Sequence, residues 1–501
     1  MSAPKGVLHQ VLARSLFFTI TLSGCSLGKF TNVPCTSNEE CRQAFYLGSV
    51  CGEGGFCEDA EAYERCTLSE PDGAFSSLSD HGDDILVGVI FDHSADAPQI
   101  QSTELAIKQV RQLPKLDDRE VTMFHCTYEE DSTIDDLTIN KAAAATASYL
   151  VDTLGISLII GPATSDACQS AFDAVEDTTF ISPSASAVSL TEMDGLVKSD
   201  DSPGLFWRTV SSDIVQGQAI AADMKYRNLN RLSVIYQQSS YASGLADTVL
   251  EAFEDDPSRT AHRHPFALTF ERDAASQAAG LDDSQEVLFI SSEGTDAVAF
   301  INGVSDNSNY DAKTIFLSDS AADIYFLDNT QDESDGVYPS IRGSRPTVPS
   351  GTVFDAFRSA YAAEFDGEDA STSVYTSFSY DAAWIGLYGM AWAIQQEGEI
   401  NGTNIAKGLR QLSAGLPPDQ RIAVNPSNWN SVLARFAIGE AVDLDGASGH
   451  LDFDSETEET LGSIDIWVIV EDDGDFDFEA DRLCEPSAEP PPAPQVECHD
   501  I

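Results

Sequence analysis

Two short stretches gather hydroxyl groups beside turn-forming residues: Gly161-Pro162-Ala163-Thr164-Ser165-Asp166 and Ile181-Ser182-Pro183-Ser184-Ala185-Ser186. In the first, Gly and Pro make a turn, and Thr164 or Ser165 can cap a following helix. The unpaired N–H groups of a helix's first turn, flanked by hydroxyls, suit a carboxylate or another anion. A Ser or Thr at such a place is more often a plain N-cap, worth about 1 kcal/mol. The second stretch adds more hydroxyls and exposed backbone groups, and side by side the two make a polar floor. This is binding chemistry. The chain carries no G-x-S-x-G elbow, no H-E-x-x-H pair, no Walker A sequence and no G-x-G-x-x-G after a strand. Acidic runs such as Asp443-Leu444-Asp445-Gly446 and Asp472-Asp473-Gly474-Asp475 lack the spacing of a calcium loop. Neither catalysis nor a cofactor nor a metal is expected.

The elements that must position these loops alternate along the chain. Residues 84–91 (DILVGVIF), 120–128, 156–161 and 178–186 read as strands, separated by helical patterns at 100–113, 141–154 and 165–177. The order β-α-β-α-β-α-β calls for a parallel sheet covered on both faces. A second run starts after 206–210, with helices at 214–227 and 244–255, strands at 231–237 and 264–270, and further segments up to 314–319. Helices at 353–365, 379–395 and 404–412 follow, then the strand IDIWVIVED (464–472). Two doubly wound α/β lobes sharing the chain are the expected fold, and ligands of such sheets bind beyond the carboxyl ends of strands.

The ends of the chain carry different information. Lys5 and Arg14 precede the apolar run Ser15–Leu22, and Leu22-Ser23-Gly24-Cys25 follows. The run is too short to span a bilayer, which takes about 20 residues, but suits an export signal. The tetrapeptide resembles the lipobox of bacterial lipoproteins, which implies a lipid on Cys25 and a place in the cell envelope. Cys35, Cys41, Cys51, Cys57 and Cys66 crowd together ahead of the main body, Cys126 and Cys168 lie within it, and Cys484 and Cys498 lie in the tail. In an exported chain they read as a disulfide framework rather than a zinc site, with no His in the crowded segment. Setting Cys25 aside leaves an odd number, so one thiol is free or pairs between chains. The run 485–496 is Pro-rich and is expected to be unpacked. With 83 acidic against 27 basic side chains, a net charge of −56, the chain repels phosphate backbones, which excludes nucleic-acid binding.

The segments IIGPATSDAC, FISPSASAVSLT, FWRTVSSDIVQGQAIA, VIYQQSSYASGLA, SYDAAWIGLYGMAWAI and LDGASGHLDFD, in this order, resemble the successive signatures of the leucine/isoleucine/valine-binding protein family. These are type I periplasmic binding proteins serving ABC importers, and the resemblance runs from about 84 to 472. It implies that a free amino acid lies between the lobes, its carboxylate held by the hydroxyl and N–H groups of the first two motifs. Thr164, Ser165, Ser184, Ala185 and Ser186 are the residues so implied. Asp319 falls where the family answers the ammonium group, although an Asp after a strand is commonly a turn residue. Tyr241 aligns with a cleft-facing aromatic. Cys126 falls where some members have a disulfide partner, and Cys168 lies a few residues from the expected mate. The first loop departs from the family: Asp92-His93-Ser94-Ala95 replaces small residues and Gly, which leaves the solute's identity open.

The resulting expectation is a signal at 1–24, an anchor and Cys-rich segment at 25–83, lobe 1 at 84–209 and 344–450, lobe 2 at 210–343 and 451–483, and a tail at 484–501. The partners implied are an amino acid, branched-chain or a similar zwitterion, and the membrane permease of an ABC importer. A sensor or scavenger on the same fold, or an envelope protein with a filled cleft, are the alternatives.

Overall fold

The computed structural model describes residues 33–267, 274–334, 337–472, 475–487 and 495–501. Cys25 and the signal read at 1–24 lie outside the described residues, as does the centre of the Pro-rich run.

A small knot comes first. Strands β1 (Ser49–Cys51) and β2 (Cys57–Asp59) pair antiparallel beside the helix Asn38–Ala44. The bridges Cys35–Cys51 and Cys41–Cys57 tie hairpin and helix together and occupy all four sulfurs. A unit this small cannot bury enough apolar area to hold itself, so crosslinks do that work. It rests on the main body through Arg42, whose Nη1 donates to the carbonyls of Asp152 at 2.6 Å and Thr153 at 3.1 Å.

The first large sheet comprises β3 (Cys66–Glu70), β4 (Ile85–Ile90), β5 (Val121–Cys126), β6 (Leu158–Ile160), β7 (Thr179–Ser182) and β8 (Phe206–Arg208). Their spatial order is β3-β5-β4-β6-β7-β8, parallel throughout except for β3. The sequence CTLSE has no apolar run to announce a sheet strand, yet β3 lies antiparallel along β5 with Cys66 opposite Cys126. These two cysteines are bridged. The expected Cys126–Cys168 bridge is therefore corrected: the register places Cys66 against Cys126. Cys168 is instead a buried free thiol whose Sγ donates to the Pro162 carbonyl at 3.1 Å. Burial pushes that thiol up to about 12, so it is unreactive at neutral pH.

The second large sheet holds β9 (Arg231–Gln237), β10 (Thr260–Phe266), β11 (Glu286–Ile290), β12 (Thr314–Leu317) and β13 (Ile341–Pro346). A two-residue ladder, β14 (Ile422–Ala423) with β15 (Leu444–Asp445), follows in the chain, then β16 (Ile464–Asp472), β17 (Asp475–Pro486) and β18 (Val496–Asp500). The sheet order is β10-β9-β11-β12-β13-β16-β17-β18, the first five strands parallel and the last three joined antiparallel. β13 and β16 approach closely because Gly343 has no side chain; a Cβ there would stand 2.0 Å from the Trp467 ring. The flanks of the Pro-rich run are not unpacked as expected. β18 extends the sheet, the bridge Cys484–Cys498 joins it to β17, and Arg482 Nε donates to Asp500 at 3.0 Å.

After β13 the chain returns to the first sheet with the helices Thr352–Glu364, Thr376–Trp392, Gly402–Leu409 and Trp429–Phe436. The helix Thr376–Trp392 is buried nearly all round, which is why its sequence shows no polar face. Trp384 and Tyr388 pack on Trp429, with ring centroids 5.9 and 5.4 Å apart. The chain thus crosses between lobes after β8, after β13 and before β16. Those crossings bind one another: Thr460 Oγ1 donates to the Thr209 carbonyl at 3.2 Å, and Thr347 N to the Ser463 carbonyl at 3.0 Å. Three short, mutually bonded links make a hinge region.

Candidate functional site

The loop after β6 begins with Gly161 at φ +92°, a backbone state that disfavours side chains; a Cβ there would also meet the Ile90 carbonyl at 2.3 Å. The turn delivers Thr164 as the N-cap of the helix Ser165–Phe172. The loop after β7 is laced to it. Ser182 Oγ donates to the Pro162 carbonyl at 2.7 Å, Ser184 Oγ to the Ala163 carbonyl at 3.0 Å, and Ser165 Oγ accepts from Ala187 N at 3.2 Å. Arg208, fully buried, holds the second loop from behind by donating to the carbonyls of Ala185 and Ala187 at 3.3 and 3.0 Å. Two adjacent strand ends are thereby fixed as one rigid surface.

That surface forms one wall of a cavity of about 600 Å³ between the lobes, within the usual range of roughly 300–1,000 Å³ for small-ligand sites. Thr164, Ser165, Ser184 and Ser186 line it from the first lobe, and Tyr241 and Asp319 from the second. Ala185 does not reach it: its N–H is spent on Ser182 Oγ at 3.1 Å and it is 1% exposed. His93 also stays out of the lining and pairs with buried His125, Nε2 to Nδ1 at 3.1 Å.

At the inner end, Asp319 follows β12 and is enclosed by donors. Its Oδ1 accepts from Gln216 Nε2 at 2.8 Å and from the Tyr241 hydroxyl, and its Oδ2 accepts from the Tyr375 hydroxyl. Tyr375 precedes the first-lobe helix Thr376–Trp392, so that bond crosses between lobes. Burial, then the charge of Asp319, raises both tyrosines well above their ordinary range, which keeps them protonated as donors. A second cross-lobe contact is made by Asp166, which accepts from Ser240 N at 3.2 Å.

The outer end is built differently. Asp92 turns its own loop, its Oδ1 accepting from the N–H groups of Ser94 and Ala95 at 2.8 Å each. Asp96 is 9% exposed and spends Oδ2 on Asp92 N at 2.9 Å and the Tyr128 hydroxyl at 3.1 Å. Glu293, in the loop after β11, lines the same cavity from the second lobe. Burial, and then the charges of Asp96, Asp296 and Asp92, push Glu293 up to about 7. Burial first, opposed by its hydrogen bonds, pushes Asp96 up to about 7 as well. Sequence reasoning missed Asp96, Glu293 and Tyr375, although the rule of strand carboxyl ends points at Glu293 once β11 is recognised.

The arrangement has a hydroxyl-bearing floor on the first lobe, carboxylates at the outer end of both lobes and Asp319 at the inner end of the second, with space between them. A family model described as periplasmic binding protein matches residues 130–429.

The chain belongs to the periplasmic binding protein family.

Members of the family are solute-binding proteins and not enzymes. Solved structures share the two-lobed fold of this binding protein. The branched-chain amino acid substrate-binding protein LivJ of Streptococcus pneumoniae, in complex with isoleucine, superposes with a TM-score of 0.57 at 18% identity, covering 79% of this chain and 99% of its own. A leucine-binding protein LivK of Thermotoga maritima gives 0.59 at 17%, covering 80% and 99%. A solute-binding protein of an R. palustris ABC transporter, in complex with 4-hydroxybenzoate, gives 0.61 at 12%, covering 79% and 96%. At these identities the likeness is one of fold. No curated protein matches the chain in sequence. Among the described residues no helix is long and apolar enough to cross a membrane.

Proposed function

We propose that this binding protein captures an amino acid or similar zwitterion in its interlobe cleft and presents it, from a lipid anchor at Cys25 on the outer side of a membrane, to an ABC-type importer. The observation that carries the reading is the opposition of two walls. Thr164, Ser165 and Ser186 offer hydroxyls from the first lobe, with Ser184 fixing the floor beside them through its bond to the Ala163 carbonyl, and Asp319 with Tyr241 faces them from the second. An α-carboxylate belongs against the donors, and an ammonium group against Asp319, which has taken up three donors of the roughly four its oxygens accept. A solute touching both lobes favours the closed arrangement in proportion to its contacts with both. The open volume of the cavity speaks against an envelope protein whose cleft is filled by its own side chains.

The test is a thermal-denaturation screen of the purified protein against the free amino acids and simple aromatic acids. A ligand at a hundredfold its dissociation constant raises stability by about 2.7 kcal/mol. Stabilisation by an amino acid that is weakened in Ser165→Ala and in Asp319→Asn is expected. Stabilisation confined to aromatic acids, or an amino-acid response untouched by both substitutions, contradicts the proposed mode.

A further inference from the structure

The outer end of the cleft holds buried negative charge that the proposed binding mode leaves unanswered. Among the described residues lining the cavity there are five carboxylates, Asp92, Asp96, Glu293, Asp319 and Asp323, and no Lys, Arg or His. In a chain with 83 acidic residues, exposed acids carry no message, but of these five Asp96 and Asp319 are buried and Asp92, Glu293 and Asp323 are half-buried. Asp96 is 9% exposed and puts both of its side-chain bonds on Oδ2, so Oδ1 has no partner among the described residues at the cavity wall. The Glu293 carboxylate has neither a hydrogen bond nor an ion pair among the described residues, and the Asp92 and Asp96 charges bear on it from the opposite lobe. Tyr128, beside them, feels both Asp96 and Glu293. Like charges brought together at low exposure weaken the closed arrangement unless something positive lies between them. A neutral amino acid, its ammonium group answered by Asp319, supplies nothing there.

We propose that the solute is an amino acid with a positively charged side chain, whose distal cation lies between Asp96 of the first lobe and Glu293 of the second. This rests on the zwitterion-binding reading of the same cleft and deepens it. It also gives the departing first loop a purpose, since Asp92 fixes the turn that sets Asp96 in place. Planar guanidinium would engage both carboxylates through separate N–H groups, and a lysine ammonium would do so through one centre.

The deciding experiment is calorimetric titration of the full protein at pH 8 with matched pairs: L-arginine against L-citrulline, and L-lysine against L-norleucine. Within each pair the shape is nearly constant and the charge is not. The charged member is expected to bind at least tenfold more tightly. Glu293→Gln should erase most of that ratio by weakening the charged member far more than its neutral partner, and Asp96→Asn should act the same way. Equal affinities within the pairs, or a ratio that survives both substitutions, overturn the cation assignment. Tight binding of norleucine or leucine that depends on Ser165 keeps the amino-acid reading and removes only this one. If none of the four probes binds, the cation assignment falls, and the amino-acid reading is decided by the screen of all free amino acids.

Discussion

Two carboxylates stand at neighbouring strand ends of the second lobe, and they are kept in opposite ways. Asp319, after β12, is surrounded by Gln216, Tyr241 and Tyr375, each donating to it. Glu293, after β11, has no donor among the described residues and is pushed up to about 7. Three donors around a buried acid make a preorganised anchor that stiffens the inner cleft and is part of the folded structure with or without solute. An acid withdrawn from water without donors costs stability in the free protein, and only a partner from outside removes that cost. The inner end is thus built for the common part of a solute, and the outer end for what distinguishes one solute from another.

The largest effect should come from breaking the inner anchor. Asp319→Ala strands three buried donors, and the loss is expected to reach about 3 kcal/mol of unfolding free energy with binding abolished, read by urea denaturation and titration. At the outer end the sign reverses. Glu293→Gln removes a half-buried charge that has no partner among the described residues and should raise the stability of the free protein by about 1 kcal/mol at pH 8, an effect that a donor-rich carboxylate could never give. Loss of stability in that variant would show that Glu293 has a partner of its own.

The same contrast sets a pH dependence. Asp96 and Glu293 ordinarily titrate at 3.8 and 4.5, and both stand at about 7 in the folded protein. Between those values these two groups bind more protons folded than unfolded, so their contribution falls as pH rises from about 4 to 7, while buried His125, pushed down to about 3, contributes in the opposite direction. Asp381, fully buried and also at about 7, and Asp213, raised well above the usual range, act in the same direction as Asp96 and Glu293. The double variant Asp96→Asn, Glu293→Gln should therefore flatten the slope of melting temperature against pH without removing it. An unchanged slope would show that Asp96 and Glu293 do not carry it. The smallest change is expected on the floor: Ser165→Ala loses the acceptor for Ala187 N, costs about 1 kcal/mol or less, and reports chiefly through weakened binding.

The sequence made the inner cleft readable because its residues follow apolar strands directly. ISLIIG leads to Thr164 and Ser165, TTFIS to Ser184 and Ser186, and TIFL to Asp319, each with turn chemistry at the boundary. Elements whose local pattern is weak were not readable. β3 alternates without apolar mass and joins its sheet through the bridge Cys66–Cys126, so Cys168 was mistaken for the partner. Tyr375 reaches Asp319 across more than fifty residues and between lobes, a proximity that only packing creates. Glu293 lay in the open, after a strand, but Ser-Ser-Glu-Gly reads as an ordinary helix start. Asp96 sits just beyond the departing loop Asp92-His93-Ser94-Ala95, and its 9% exposure is a tertiary fact.

The most direct measurement is a crystal structure of the protein grown with L-arginine. The account predicts one arginine between the lobes, with its carboxylate against Ser165, Ser184 and Ser186, its ammonium group at Asp319, and its guanidinium bridging Asp96 and Glu293. An arginine reversed in the cleft, or held outside it while Asp96 and Glu293 face only water, would contradict the central claim.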